Sequence, residues 1–88
     1  MRLDKFLKVS RIIKRRTVAN EACDAGRVLI NGKTAKAGSE VKIGDILEIH
    51  FGNSIVKVEI TRIGETARKE EAGDMYRQIS VSRVQPEE

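Results

Sequence analysis

Lys14, Arg15 and Arg16 form a run of three cations directly before Thr17, a residue of the type that begins helices. The N-terminus of a helix already carries partial positive charge and unpaired backbone N–H groups, so cations there are unfavourable unless an anion binds beside them. The order of these residue types therefore predicts an anion-binding site.

The positive charge of the chain is concentrated in its first third. Residues 1–36 hold ten Lys or Arg against three acids, a balance of +7, whereas residues 37–88 hold seven against ten, a balance of −3. With two Phe, one Tyr and no Trp, the chain has few aromatic platforms on which bases could stack. This composition favours binding to the phosphate backbone of a nucleic acid, and a solvated basic face without a partner is the alternative.

The sequence offers no candidates for catalysis, metal binding or a cofactor. It contains no GxxxxGKS/T or GxGxxG phosphate-binding motif, no HExxH and no CxxC. We expect Cys23 to be a small buried hydrophobic residue, and a lone cysteine suits a reducing cytoplasm. His50 has no carboxylate or cysteine cluster beside it in the chain.

No apolar run approaches the ~20 residues of a membrane span and the N-terminus lacks the apolar core of a signal peptide, so we expect a soluble, cytoplasmic protein without a membrane partner.

The cations must be positioned by two helices. Leu3, Phe6 and Leu7 predict a first helix that ends near Ser10. Cations recur every third residue up to Lys14, and this period cannot form one stripe on a helix of 3.6 residues per turn. We therefore expect a turn after the first helix to bring the later cations back beside Arg2 and Lys5. Asp4 either holds one of the arginines or serves as a first-turn acid on the helix dipole. The repeated cations are Arg2, Lys5, Lys8, Arg11 and Lys14.

The second helix is predicted to have Thr17 as its N-cap and to run over 18–25, with Gly26 as a left-handed stop. Small residues on its inner face permit close approach to the first helix. These inner residues are Val18, Ala19, Ala22 and Cys23.

Period-two patterns predict a sheet after Gly26. Asn31-Gly32 is a strong hairpin signal between 27–30 and 33–36, and it places Arg27 opposite Lys36, a like-charged pair that is a second indication of phosphate. A short strand and turn are expected at 41–45. A second hairpin through Gly52-Asn53 sets Glu48 opposite Lys57, Ile49 opposite Val56 and Leu47 opposite Val58. A last strand is expected at 76–81, one or two helical turns at 66–73 and disorder at 85–88, so the fold class is α+β with one domain over 1–84.

The pattern of residues 1–51 resembles the RNA-binding domain named after small-subunit ribosomal protein four. The matching residues are Arg2-Leu3-Asp4-Lys5-Phe6-Leu7, Lys14-Arg15-Arg16-Thr17, Ala19, Ala22, Gly26-Arg27-Val28, Ile30-Asn31-Gly32, Val41, Gly44-Asp45 and Leu47.

The resemblance implies two helices on a small, mostly antiparallel sheet and an L-shaped RNA-binding surface. Many members have Ser-Arg where this chain has Arg15-Arg16, which leaves open which arginine takes the inner position. Carried over by position, the RNA-binding residues are Arg2, Lys5, Lys14, Arg15, Arg16 and Thr17, with Arg11, Arg27 and Lys33 at the rim.

Because of the tail at 69–76, the resemblance extends to the whole chain, which is similar to short bacterial ribosome-associated quality control factors related to heat-shock protein fifteen. That similarity implies a non-catalytic monomer on the large (50S) subunit that carries an obstructed nascent chain and its tRNA. It would contact ribosomal RNA and peptidyl-tRNA while a partner quality-control protein adds a C-terminal alanine tail. A general structured-RNA heat-shock factor and a protein-interaction domain without RNA are the alternatives.

Overall fold

Two short helices precede five strands in the computed structural model, which describes residues 1–64 and 74–83. The elements are α1 (Leu3–Val9), α2 (Arg16–Asp24), β1 (Val28–Ile30), β2 (Lys33–Thr34), β3 (Ile46–Phe51), β4 (Ser54–Ile60) and β5 (Tyr76–Arg83). The helical turns predicted at 66–73 and the disorder predicted at 85–88 lie outside the described residues.

All the strand pairs are antiparallel, and the strands lie in the order β2-β1-β3-β4-β5. The predicted α+β class is confirmed. The β3–β4 register is also as predicted, with Glu48 opposite Lys57 and Ile49 opposite Val56. Apolar and charged residues alternate consistently on both strands, so only one register buries the apolar set.

The helices bury their apolar residues in one core with the sheet. Leu3, Phe6 and Leu7 recur at the spacing of one helical face and are fully buried, together with Ala19 and Cys23 of α2. The sheet contributes Val28, Leu47, Ile49, Val58 and Ile60. Burial of each large apolar side chain stabilises the fold by about 1.5–3 kcal/mol relative to exposure.

The first helix ends as predicted, with Ser10 as its C-cap. Arg11 then takes the left-handed conformation at φ 64°, and the Ile13 N–H donates to the Leu7 carbonyl at 3.0 Å. Ile13 is 6% exposed and anchors the chain in the core as it turns towards α2.

The predicted start of the second helix is wrong by two residues. Arg15 is the N-cap, in an extended conformation without a side-chain cap, so Thr17 lies within the first turn. The Arg16 guanidinium in the first turn reaches Asp4 on α1 at 3.4 Å. Local capping preferences, worth about 1 kcal/mol, do not include such a tertiary contact.

Val18 does not face the core as predicted, since 46% of its surface is exposed. The buried stripe is centred on Ala19 and Cys23, and Val18 points about 100° away from Ala19 around the helix. The predicted left-handed stop is confirmed, because Gly26 has φ 76°.

The first hairpin is shorter than predicted. Ile30 pairs with Lys33 and Leu29 with Thr34, as expected, and the Ala35 N–H donates to the Val28 carbonyl at 3.0 Å, but the strand pairing extends no further. The chain then leaves the sheet because Ala35 and Ala37 enter the core, and the Ala37 carbonyl accepts the Asp4 N–H of α1 at 3.1 Å. The predicted strand pair between Arg27 and Lys36 is therefore wrong, and it provides no indication of phosphate.

The predicted strand at 41–45 is also wrong, although its turn is present. Val41 is buried outside any strand, while the Asp45 carboxylate accepts the Lys42 N–H at 3.0 Å and closes the turn. Asp45 also accepts the Asn31 side-chain amide at 3.1 Å, and the Asn31 side-chain oxygen accepts the Ile46 N–H at 2.9 Å. These contacts attach the first hairpin to the start of β3.

Candidate nucleic-acid interface

Asp4 lies at the centre of the interface between the two helices. Its side chain is 3% exposed, and it accepts a hydrogen bond from the Lys5 N–H at 2.8 Å. Its two oxygens also accept from Arg2 Nε at 3.2 Å, Arg16 Nε at 3.4 Å and Asn20 Nδ2 at 3.4 Å. Both interpretations of Asp4 therefore apply, because it is a first-turn acid and it holds two arginines.

The same contacts keep the Asp4 carboxylate charged. Burial by itself raises the pKa of a carboxyl group, but the hydrogen bonds from Arg16, Asn20 and the Lys5 amide, with the charge of Arg16, outweigh it. The pKa of Asp4 is accordingly lowered from 3.8. Asp4 is an anion at neutral pH and fixes the two guanidinium groups.

Arg2 binds Asp4 through Nε at 3.2 Å and through one terminal nitrogen at 3.5 Å, whereas Arg16 binds it through Nε. Their side chains are 55% and 49% exposed. A guanidinium held in this way can still bind a phosphate through its remaining N–H groups. Asp4 holds Arg16 of the Arg15-Arg16 pair, whereas the exposed Arg15 makes no hydrogen bond or ion pair with Asp4. We call Arg2, Asp4 and Arg16 the arginine corner.

An open cleft of about 350 Å³ adjoins the arginine corner. It is lined by Asp4, Arg16, Thr17, Asn20 and Glu21. The first N–H groups of α2 lie at this cleft, and α2 has no side-chain cap that would occupy them. Asn20 and Glu21 were missed by sequence reasoning, although Asn20 lies one turn after Arg16 and so shares its side of the helix.

The remaining predicted residues fall into two other places. Arg11 and Lys14 line a second cleft with Lys8 and Val9. Arg27 and Lys33 are exposed on the first hairpin and line neither cleft. Lys5 is adjacent to Asp4 on α1 and is half-buried.

Cys23 and His50 are the two candidates for reactive side chains that the sequence offered, and their surroundings in the fold are as follows. Cys23 is buried, and burial together with the charges of Asp4 and Asp24 raises the pKa of its thiol to about 11. His50 Nε2 lies 2.9 Å from Glu48 Oε2, a single carboxylate. Glu48 is two residues earlier and projects from the same face of β3.

Within residues 1–64 and 74–83, no group of three or more His, Cys, Asp or Glu residues is arranged to hold a metal ion. Over the same residues, neither helix has the length and apolar character needed to cross a membrane.

Two arginines held by one buried carboxylate beside an uncapped helix start, on an α+β scaffold, are typical of a domain that binds phosphate backbones. The S4 domain family matches residues 1–47, and the chain belongs to this family. The resemblance found from the sequence is confirmed.

Two curated relatives are each named RQC P-site tRNA stabilizing factor. The protein of Halalkalibacterium halodurans is 63% identical over 76 residues, which cover 86% of each chain. The Bacillus subtilis protein is 58% identical over 76 residues, covering 86% of this chain and 88% of that protein. Among solved structures, the trimeric heat shock protein 15 of Vibrio cholerae has a TM-score of 0.84 at 32% identity and covers 91% of this chain and 82% of its own.

Proposed function

We propose that this chain is a non-catalytic RNA-binding factor of ribosome-associated quality control that stabilises tRNA in the ribosomal P site. The observation that carries the proposal is the arginine corner, in which buried Asp4 fixes two half-exposed guanidiniums. The names of the similar proteins from Halalkalibacterium halodurans and Bacillus subtilis support the same role.

In the proposed mechanism, Arg2 and Arg16 bind backbone phosphates of folded RNA, and the first N–H groups of α2 add donors beside them. Asp4 fixes both arginines before RNA arrives, so less side-chain freedom is lost on binding. Recognition then depends on the shape of the RNA more than on its bases, because no aromatic residue lines the cleft beside the arginine corner.

The proposed setting is the cytoplasmic large (50S) subunit that carries an obstructed nascent chain on its tRNA. One copy of the chain contacts ribosomal RNA and the peptidyl-tRNA there, while a partner quality-control protein directs addition of a C-terminal alanine tail. The trimeric state belongs to the Vibrio cholerae protein, and we propose a monomer for this chain.

Co-sedimentation with 50S subunits that carry peptidyl-tRNA tests the proposal. Arg16→Ala should weaken association about tenfold near 0.1 M salt, equivalent to ~1.4 kcal/mol for one charged hydrogen-bonded contact. The slope of log K against log salt concentration should also become less steep by about 1, which is the change expected when one phosphate contact is lost. Arg15→Ala should have a smaller effect, because Arg15 is not held by Asp4.

Arg62→Ala is the matched control, since Arg62 is exposed and lies after β4, outside the helical pair. It should sediment with 50S subunits as the unchanged protein does. Equal affinity and equal salt slope for Arg16→Ala and the control, with both proteins folded, would overturn the proposal. Binding that is the same with and without tRNA would instead favour a general ribosome-binding heat-shock factor.

A further inference from the structure

The cleft beside the arginine corner carries hydrogen-bond acceptors as well as cations. Arg16 and Thr17 line its first part, and Asn20 and Glu21 line it one helical turn further along α2, roughly 6 Å away along the axis. Glu21 is an exposed acid, and Asn20 is half-buried. A phosphate group in a nucleic-acid backbone has acceptor oxygens only, so it cannot donate to the Glu21 carboxylate or to the oxygen of the Asn20 side chain.

The orientation of the Asn20 amide follows from its contact with Asp4. Asn20 Nδ2 donates to Asp4 Oδ2 at 3.4 Å. Because the Asp4 carboxylate is ionised and only accepts hydrogen bonds, the nitrogen of the amide and not its oxygen must face the carboxylate. The oxygen, Oδ1, is therefore left for another partner.

Asn20 Oδ1 is an unused acceptor at this cleft. It accepts no hydrogen bond from any donor in residues 1–64 or 74–83. Across those two ranges, every buried side-chain nitrogen or oxygen has a partner, so the unpaired Oδ1 must be accessible from solvent. The cleft therefore offers a ligand one oriented acceptor within a helical turn of the Arg16 guanidinium.

The group of RNA that fits this acceptor is the ribose 2′-hydroxyl. It lies on the sugar that joins successive phosphates, so it accompanies a bound phosphate whatever the base, and it can donate as well as accept. The Glu21 carboxylate at the same turn of α2 repels a second phosphate, which leaves this part of the cleft to the sugar. DNA has no hydroxyl at this position.

We propose that Asn20 is a specificity-determining residue, whose Oδ1 accepts a hydrogen bond from the ribose 2′-hydroxyl beside the phosphate at the arginine corner. The cleft then distinguishes RNA from DNA through one oriented side chain. This inference rests on the proposed function for the phosphate site, and it adds a contact with the sugar.

Binding of two hairpins with the same base sequence tests the inference with the full chain. One hairpin is RNA, and the other carries 2′-fluoro ribose, which keeps the A-form helix and the phosphates but cannot donate a hydrogen bond. The unchanged chain should bind the RNA hairpin about fivefold more tightly, as expected for one hydrogen bond between neutral groups. Asn53→Ala is the matched control, since Asn53 lies in the turn between β3 and β4 and outside the cleft, and it should keep this ratio.

Asn20→Ala and Asn20→Lys should both bring the ratio of the two affinities close to one. Lysine keeps a donor that can reach Asp4, so Asn20→Lys separates the lost acceptor from any change at the arginine corner. If Asn20 only positioned Asp4, Asn20→Ala would weaken binding of both hairpins equally and leave the ratio near five, and that result would overturn the inference. A ratio near one for the unchanged chain would overturn it as well.

Sedimentation with 50S subunits separates this inference from the proposed function. A fivefold ratio that depends on Asn20, in a chain that does not sediment with 50S subunits, would support the inference while overturning the proposed function. Sedimentation that depends on Arg16, together with equal affinity for the two hairpins, would overturn the inference alone.

Discussion

Asp4 is a buried charge that orients other charges. Moving an ion out of water costs several kcal/mol, and a buried carboxylate is tolerated when donors surround it. Here the donors are the backbone N–H of Lys5 and the side chains of Arg2, Arg16 and Asn20. The consequence is that one carboxylate holds Arg2, the N-cap of α1, and Arg16 of α2, while both arginine side chains stay about half exposed.

Asp4→Asn should lower the free energy of unfolding by about 2 kcal/mol at neutral pH, because the charged hydrogen bonds to both arginines are weakened. The pKa of Asp4 is lowered in the folded state, so its contribution is fully present above the unfolded pKa of about 3.9 and is lost as pH falls through the folded value. The difference between the two proteins should therefore be constant from pH 5 to 7 and shrink below about pH 4.

Chemical denaturation at several pH values, followed by circular dichroism, measures this difference. Glu21→Gln is a suitable control, since Glu21 is an exposed acid on the same helical pair. An Asp4→Asn protein as stable as the unchanged chain at pH 7 would contradict the stabilising role of the carboxylate.

The first hairpin shows how one side chain connects two elements. Asn31 lies in the left-handed conformation at φ 51°, and its side-chain amide donates to Asp45 while its side-chain oxygen accepts the Ile46 N–H. Asparagine tolerates this backbone conformation better than most residues. The Asn31-Gly32 and Gly44-Asp45 pairs of the motif are thus scaffold and are separate from the arginine corner.

Asn31→Ala should destabilise the fold by about 2 kcal/mol, because two hydrogen bonds are lost and alanine is strained at positive φ. The RNA affinity of the folded protein should not change, since Asn31 lies outside both clefts. Thermal unfolding and RNA binding at low temperature separate the two effects. Asn53→Ala in the other hairpin is the control and should stay within about 0.5 kcal/mol. Weaker RNA binding by a folded Asn31→Ala protein would assign Asn31 to the interface.

The sequence patterns correctly predicted those elements whose stabilising contacts lie close together in the chain. The β3–β4 hairpin and its register follow from alternation and a turn within 46–60, and the end of α1 follows from its apolar spacing. The start of α2 at Arg16 could not be predicted, because the contact that accompanies it comes from Asp4, twelve residues earlier. The early end of β2 depends likewise on α1, whose N–H groups are bound by the loop after Thr34.

At the scale of the whole molecule, the arginine corner depends on a sheet that does not form part of it. The helices have seven and nine residues, and isolated helices shorter than about 12–15 residues are marginal in water. Their apolar faces belong to the same core as Leu47 and Ile49 of β3. The helical pair should therefore exist only when the sheet is folded.

Leu47→Ala tests this dependence, because Leu47 is fully buried in β3 and lines neither cleft. A large-to-small change in a core costs about 2–5 kcal/mol, a large part of the 5–15 kcal/mol typical of a domain. Helical circular dichroism and RNA binding should be lost together in one thermal transition, at a lower temperature than in the unchanged chain. Leu47→Met keeps the volume and should lose much less stability. If RNA binding and the helical signal instead persist above the temperature at which the sheet unfolds, the helical pair is stable by itself and its arginines do not need the sheet.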